Sequence, residues 1–173
     1  MYYQKECNDI VKSSNFPNTS LISKEIFDGN FNNCKLIAED LMDAYLPYGN
    51  FYKGNLHQAQ LQNAILNNSR FDWSDLSLVN LTNANLYFAS LIGANLAGAN
   101  LTGANLQYAN LAEADLRGAV LSKTDLRGAN LDRANLTSAI FDRTNLYHAR
   151  NVNLSRSHPD ALSIDVNGLP CER

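Results

Sequence analysis

The sequence has few of the features that mark secreted, membrane-spanning or redox proteins. Its 173 residues include only three cysteines, four prolines and one tryptophan. No apolar run in residues 1–16 is long enough for a signal peptide or a membrane span, so we expect a cytoplasmic protein with no membrane contact. Cys7, Cys34 and Cys171 form no CxxC pair and show no metal-ligand spacing. They therefore predict no metal site and fit a cytoplasmic location.

Catalytic and nucleotide-binding motifs are also missing. The chain contains no HExxH, GxSxG, GxGxxG or P-loop pattern. Charged residues make up 18% of the chain and the net charge is −3, which predicts neither a nucleic-acid-binding protein nor a strongly acidic surface. We therefore expect no enzyme activity, no cofactor and no nucleic-acid partner. At 45% hydrophobic residues, the chain should still fold as one globular domain.

What the sequence does contain is a repeat of five residues. Stepping by five from Leu21 to Leu146, all 26 positions are Leu, Ile or Phe. The residue two places earlier is Ala, Gly, Ser, Thr or Cys at 23 of these sites, the exceptions being Lys24, Glu39 and Val79. In most repeats a polar residue, most often Asn or Asp, stands between the two.

A period of five fits neither a helix nor a flat strand. Five helical steps of about 100° would rotate each apolar residue by about 140°, and five strand steps would turn it to the opposite face. A chain that bends once per repeat can point every apolar residue the same way. The small and apolar residues then face inward, the polar residue faces outward, and the last two residues form a corner that suits Gly93 and Gly128. Phe31, Phe51 and Phe71 recur at intervals of 20, as expected for stacking in a four-sided coil.

The repeat resembles that of the pentapeptide-repeat family. Residues 93–136 read GANLAGANLTGANLQYANLAEADLRGAVLSKTDLRGANLDRANL. The pattern covers residues 19–148, closely from Asn83 onward and loosely before about Tyr45. The resemblance implies an all-β fold, a right-handed quadrilateral β-helix of about 6.5 coils. We expect the β-helix over 19–150, with short caps formed by residues 1–18 and 151–173, the latter with a short helix near Pro159.

Individual reactive residues have ordinary interpretations on this fold. His57 and His148 fall at corners, where solvated surface histidines are expected. Cys34 occupies an inward position and should be a small core residue. A shaft filled with Leu and Ala should offer no concave pocket for catalysis.

The outward aromatic residues are unevenly distributed. Folding the sequence at 20 residues per coil directs nine aromatic side chains outward, and seven of them fall on one side, where about two would be expected. Tyr52 and Trp73 lie elsewhere. Tyrosine and other aromatic residues are enriched in protein interfaces. The sequence therefore predicts a partner-binding surface, here called the aromatic ridge, formed by Phe27, Tyr45, Tyr48, Tyr87, Phe88, Tyr108 and Tyr147.

Other functions remain open at this point. The ridge could be covered by a terminal segment, stabilise the corners or mediate self-association in a self-assembling structural protein. Some members of the family, the quinolone-resistance proteins, resemble B-form DNA and bind DNA gyrase, which implies a strongly acidic stripe. Here the acidic residues spread over all four sides, and residues 76–112 carry no charge. We therefore favour an interaction module with an unidentified protein partner over a DNA mimic.

Overall fold

The computed structural model describes residues 29–155, which form a single four-sided solenoid. Parallel β-bridges join residues 20 apart in sequence, as in Asn30–Asn50 and Asn50–Arg70, and continue to Asn130–Arg150. Each side contributes one bridged residue per coil, and the described residues contain no helix and no longer strand. Because the repeat is five residues and the coil is 20, each coil has four sides, as the sequence predicts.

The four sides are numbered in chain order by their inward apolar residues. Side 1 is centred on Phe31 and side 2 on Leu36. Side 3 is centred on Leu41 and side 4 on Leu46. Every later coil repeats these positions at intervals of 20, so that side 4 continues through Leu66, Leu86, Leu106, Leu126 and Leu146.

Tight turns bend the chain at every corner. The N–H of each small residue donates to the carbonyl of the apolar residue three places earlier, as from Ala94 to Leu91 at 3.1 Å. The second corner residue has a positive φ in every described repeat, near 56° at Phe88 and 68° at Gly128. A hydrogen-bonded turn with positive φ at its third residue is a type II turn. Glycine suits this conformation, but most corners here use another residue.

In most repeats the outward residue is Asn or Asp, which stabilises its own corner through its side chain and is linked to the adjacent coil. In the repeat of Asn110, the side-chain Oδ1 accepts the N–H of Ala112 at 3.2 Å and the Nδ2 group of Asn130 at 3.1 Å. The backbone N–H of Leu91 donates to the carbonyl of Asn110 at 2.7 Å, one coil further on. Asn and Asp therefore recur because their short side chains can satisfy a backbone N–H two residues ahead.

The interior is filled with side chains and contains the stack that the sequence predicts. Phe31, Phe51 and Phe71 stack with ring centroids 4.8 and 4.6 Å apart and interplanar angles of 4° and 2°. Ser69 and Thr124 replace alanine at inward positions. Their hydroxyls donate to the carbonyls of Leu46 and Leu101, so these buried polar groups are satisfied.

Two residue-level expectations change. Cys34 is buried as expected, but it is disulfide-bonded, and its partner lies outside the described residues. His57 is half-buried rather than freely solvated, with its Nδ1 2.7 Å from the Ser77 hydroxyl of the next coil. The hydroxyl in turn donates to Asp75, so His57 belongs to a polar ladder on side 2.

The remaining expectations concern the two ends of the shaft and its surface. The predicted caps at residues 1–18 and the helix near Pro159 lie outside the described residues. Against the expectation of no pocket, a polar cavity of about 670 Å³ lies on the surface of the last coil, lined by Arg133, Asn135, Thr137, Asn151 and Asn153. Among the residues that the structure describes, its lining includes no His, Asp or Glu side chain that could act as an acid or a base.

Candidate protein-interaction surface

Side 4 carries the described residues of the aromatic ridge, and most of them are exposed. Tyr48 is 60% exposed, Phe88 51% and Tyr108 52%. Tyr87 and Tyr147 are also exposed, whereas Tyr45 is half-buried and Phe27 lies outside the described residues. Corner positions lie outside the filled interior, which allows this exposure, although Pro47, at the corner beside Tyr48, is buried.

Three of these residues form one contiguous group, the aromatic cluster of Tyr87, Phe88 and Tyr108. Phe88 and Tyr108 stack with ring centroids 5.1 Å apart and an interplanar angle of 17°. Tyr87 meets both rings edge-on, at 4.6 Å from Phe88 and 5.9 Å from Tyr108. Stacked and edge-to-face arrangements are the favourable geometries for aromatic pairs. The cluster is therefore held in one arrangement while half of each stacked residue stays accessible.

A glycine in the following coil supports the cluster. A Cβ added at Gly128 would lie 2.6 Å from both Cδ1 and Cε1 of Tyr108, so the tyrosine ring lies directly on the glycine backbone. Trp73 on side 1 lies on Gly93 in the same way, with ring atoms 2.4 Å from an added Cβ. Large second-corner side chains thus lean toward the next coil, where glycine leaves room for them.

Replacing Gly128 with alanine is expected to displace the Tyr108 ring and weaken its stack with Phe88. Gly118→Ala is the matched control, because Gly118 has a similar φ of 65° and no atom within 4 Å of an added Cβ. The control should lose about 1 kcal/mol from the positive φ alone, and Gly128→Ala about 1 kcal/mol more. Urea unfolding measures both, and equal losses would show that Tyr108 does not rest on Gly128.

The ridge is interrupted rather than continuous. Asn67 and Asn68 occupy the corner between Tyr48 and the cluster, and Arg127 and Gly128 occupy the corner between the cluster and Tyr147. Tyr147 instead packs on its neighbour His148, with ring centroids 3.9 Å apart. The structure therefore brings together three of the seven predicted residues and leaves Tyr48 and Tyr147 as separate exposed positions.

Side 4 also differs from the other sides in charge. Across four consecutive coils its outward positions carry no charged residue. In the same coils, side 1 carries Lys53 and Arg70, side 2 Lys35 and Asp75, and side 3 Asp40 and Asp43. The outward positions of side 4 in these coils are Tyr45, Pro47, Tyr48, Ile65, Asn67, Asn68, Asn85, Tyr87, Phe88, Asn105, Gln107 and Tyr108.

After Tyr108, the next charged residues on side 4 are Asp125 and Arg127, which neutralise each other. Arg127 binds Asp125 through both carboxylate oxygens, with Nη2 2.7 Å from Oδ2. This hydrogen-bonded pair raises the pKa of the Arg127 guanidinium. Asp115 and Arg117 form the same pair on side 2, where the hydrogen bond from Arg117 lowers the pKa of Asp115. Both pairs are solvent-accessible and add little stability.

Side 1 holds a polar network that the repeat pattern does not reveal. The Arg70 guanidinium lies 4.4 Å from the centre of the Tyr52 ring and donates to Asp72 at 2.7 Å. Asp72 is buried and also accepts the Ser90 hydroxyl and the N–H of Ile92. Ser90 stands where most repeats have Asn or Asp, so Asp72 from the preceding coil supplies the missing acceptor. All of its partners belong to the shaft, which indicates a structural role.

Residues 29–155 contain no group of three or more His, Cys, Asp or Glu side chains that could hold a metal ion. Within these residues there is also no helix with the length and hydropathy needed to cross a membrane.

Comparison with known proteins agrees with the repeat. A family model of pentapeptide repeats matches the chain in 8 copies, over residues 55–87, 80–118 and 114–158. A sequence comparison with curated proteins gives no match.

Several solved structures are similar to the chain. QnrB1, a plasmid-mediated fluoroquinolone resistance protein, is 18% identical with a TM-score of 0.50, and the match covers 86% of this chain and 89% of QnrB1. HetL from Nostoc sp. strain PCC 7120, a pentapeptide repeat protein involved in heterocyst differentiation regulation, is 26% identical with a TM-score of 0.32, over 83% of this chain and 80% of HetL. A pentapeptide repeat protein from the Arabidopsis thaliana thylakoid lumen is 23% identical with a TM-score of 0.40, over 86% and 81% of the two chains. The family model spans residues 55–158, more than half of the chain, and the four-sided coil agrees with it: the chain belongs to the pentapeptide-repeat family.

Proposed function

We propose that this protein is a non-enzymatic interaction module that binds another protein through side 4. The observation that carries the proposal is the aromatic cluster of Tyr87, Phe88 and Tyr108, which is exposed on the one side without charge across four coils. Binding energy in protein interfaces is concentrated in aromatic anchors, and charged residues are depleted at interface centres.

The construction of the shaft favours binding by a rigid surface. Side 4 is fixed by hydrogen bonds between coils, such as Leu86 N–H to the Asn105 carbonyl at 2.8 Å. The rings of Phe88 and Tyr108 are further restrained by their mutual stack. Ordering a mobile side chain on binding costs about 0.5–1.5 kcal/mol, and restrained anchors avoid part of this cost.

The arrangement of charges disfavours inhibition or protection of DNA gyrase by DNA mimicry. A protein that imitates DNA needs a continuous negative stripe. Here Asp72, Asp115 and Asp125 are each bound by an arginine. Inhibition of gyrase supercoiling at micromolar protein would favour mimicry over the proposal.

The handedness, the number of coils, the caps and the cellular location are also part of what we propose. We propose a right-handed shaft of about 6.5 coils, capped by residues 1–18 and 151–173, that acts in the cytoplasm with no cofactor. The state of Cys34 tests the location: a free thiol in protein isolated under thiol-blocking conditions would support the cytoplasm, and a retained disulfide would contradict it, because structural disulfides persist mainly in oxidising compartments.

The test compares two sets of outward substitutions. The ridge variant replaces Tyr48, Tyr87, Phe88 and Tyr108 with serine. The control variant replaces Ile37, Trp73 and Leu78 with serine, all outward residues off side 4 and between 47% and 52% exposed. Neither set changes an inward residue, so both variants should fold. Immobilised wild-type and control proteins are expected to capture the same partner from a lysate of the source organism.

The ridge variant should lose at least about 90% of the captured partner, because several aromatic anchors at 2 kcal/mol or more each are removed. Equal capture by the ridge variant would contradict the proposal, as would loss of capture in the control variant alone.

A further inference from the structure

We propose that the partner on side 4 is a second copy of this chain, bound with the two shafts antiparallel. This inference rests on the proposed function, that side 4 binds protein, and names the occupant. The two-fold axis would lie in the interface, perpendicular to the shafts, at the level between Phe88 and Tyr108.

The absence of charge makes side 4 compatible with itself. Two copies of one surface usually bring like charges together, which is unfavourable in a desolvated interface. Side 4 has no charged outward residue from Tyr45 to Tyr108. Its next coil carries Asp125 and Arg127, which already neutralise each other at 2.7 Å. No other side has four uncharged coils in succession among the described residues.

The antiparallel register brings the aromatic clusters of the two copies together at the two-fold axis. A two-fold axis perpendicular to the shafts keeps each column of residues facing the same column of the other copy, in reverse order. With the axis between Phe88 and Tyr108, these two rings face each other across the interface. In the same column, Asn68 faces Gly128 and Tyr48 faces His148. The second-corner column of side 4 reads Tyr48, Asn68, Phe88, Tyr108, Gly128 and His148.

The neighbouring column fits the same register. Its first-corner residues pair Tyr87 with Gln107 and Asn67 with Arg127, whereas Pro47 is buried within its own chain and takes no part in the contact. No acidic residue faces an acidic residue and no basic residue faces a basic one. A parallel arrangement about an axis along the middle of the side would instead place Phe88 opposite Asn85 and leave the aromatic cluster over amide groups.

The area of side 4 limits the expected affinity of the dimer. Six coils separated by about 4.8 Å give a contact about 24 Å long and one side wide. A specific interface of standard size buries about 800 Å² per partner, and a single flat side of this length falls near or below that area. We therefore expect a reversible dimer with a Kd on the order of 10 µM.

The oligomeric state and its dependence on the cluster provide the first test. Sedimentation equilibrium of the full chain is measured between about 1 and 500 µM for wild type, Phe88→Asp and Leu78→Asp. Leu78 is a close control, because it is also a second-corner residue with a φ of 56° and is 52% exposed, against 51% for Phe88.

Wild type and Leu78→Asp should show the same monomer–dimer equilibrium. Phe88→Asp should raise the Kd at least tenfold, because it places an unpaired charge in the aromatic centre. A wild-type protein that remains monomeric at the highest concentration overturns the inference. Equal effects of the two substitutions also overturn it.

Photo-crosslinking tests the antiparallel register. Tyr48 is replaced by p-benzoylphenylalanine, and isotopically labelled and unlabelled chains are mixed so that crosslinks between copies can be recognised. Crosslinks between position 48 and the region of His148 support the inference. These positions are five coils, about 24 Å, apart in one chain and cannot meet within it. Crosslinks between position 48 and the region of Tyr45 of the other copy would overturn the antiparallel register.

The inference and the proposed function can fail separately. A monomeric protein that still captures a different protein through the aromatic cluster would overturn the second copy as partner and leave the proposed function intact. A monomeric protein whose ridge variant captures the same proteins as wild type would overturn both.

Discussion

Replacing Leu96 with lysine is expected to abolish the cooperative fold. Leu96 is fully buried on side 2, with Leu76 and Leu116 in the same column one coil away on either side. A lysine there would place an ammonium group among leucine side chains without a partner, at a cost above about 4–5 kcal/mol. That loss is comparable to the whole stability of many single domains. Thermal unfolding followed by circular dichroism should show no native transition.

The adjacent substitution Asn95→Lys is the matched control, because it introduces the same side chain one residue away. Asn95 points outward, where its Oδ1 accepts the Ala97 N–H at 3.2 Å and its Nδ2 donates to Asp75 at 3.1 Å. Loss of these bonds should cost about 1 kcal/mol and leave the fold intact. If both lysine variants unfold, or both remain native, the inward and outward assignment is wrong.

Replacing Phe51 with alanine is expected to produce the second-largest effect. Phe51 is fully buried and stacks on both Phe31 and Phe71 in side 1. Truncation would remove both stacking contacts and leave a cavity between rigid coils, at a cost of about 3–5 kcal/mol. Because every coil is fixed by hydrogen bonds to its neighbours, the shaft should have little freedom to collapse into the cavity. Urea unfolding measures the loss as a lower transition midpoint.

Phe51→Leu tests whether shape or hydrophobicity matters at this position. Leucine occupies the corresponding place in later coils, as at Leu91 and Leu111, so the corner and backbone should accept it. We expect a loss of about 1–1.5 kcal/mol from poorer packing against the two remaining phenylalanines. A loss as large as that of alanine would indicate that the stack itself, and not the filling of volume, stabilises this side.

Much of the fold follows from the repeat because each repeat makes the same local choices. A period of five forces one bend per repeat, and the phenylalanines at intervals of 20 predict a coil of 20 residues. The stack of Phe31, Phe51 and Phe71 confirms this reasoning. Contacts in such a solenoid are almost all between adjacent coils, so one period fixes both local structure and long-range packing.

Contacts that depart from the repeat could not be predicted in the same way. The N–H of Ile92 donates to Asp72 because Ser90 lacks the carboxamide that accepts the corresponding N–H in other repeats. The two residues are 20 apart, and the bond forms because the Asp72 side chain is long enough to reach the next coil. The disulfide of Cys34 likewise depends on a partner outside the repeat phase. The period of the repeat predicts whether each side chain points inward or outward, but it does not predict which side-chain atoms form a bond.

The arrangement of the aromatic residues on side 4 could be predicted in outline but not in detail. Counting outward aromatic residues locates side 4, yet gives equal weight to Tyr48, Tyr108 and Tyr147. The structure distinguishes them, because Tyr108 rests on Gly128 and stacks with Phe88, whereas the corner beside Tyr48 is occupied by Asn68. The uncharged stretch of side 4, from Tyr45 to Tyr108, can be identified in the sequence once the outward positions are assigned to sides.

Partner capture by the ridge variant and the off-side control variant tests the central claim most directly. The claim is that the aromatic residues of side 4, and not exposed apolar residues in general, bind another protein. The account predicts that wild type and the control variant retain the same partner, whether a different protein or an untagged copy of this chain, and that the ridge variant loses it. Retention of that partner by a folded ridge variant would contradict the account.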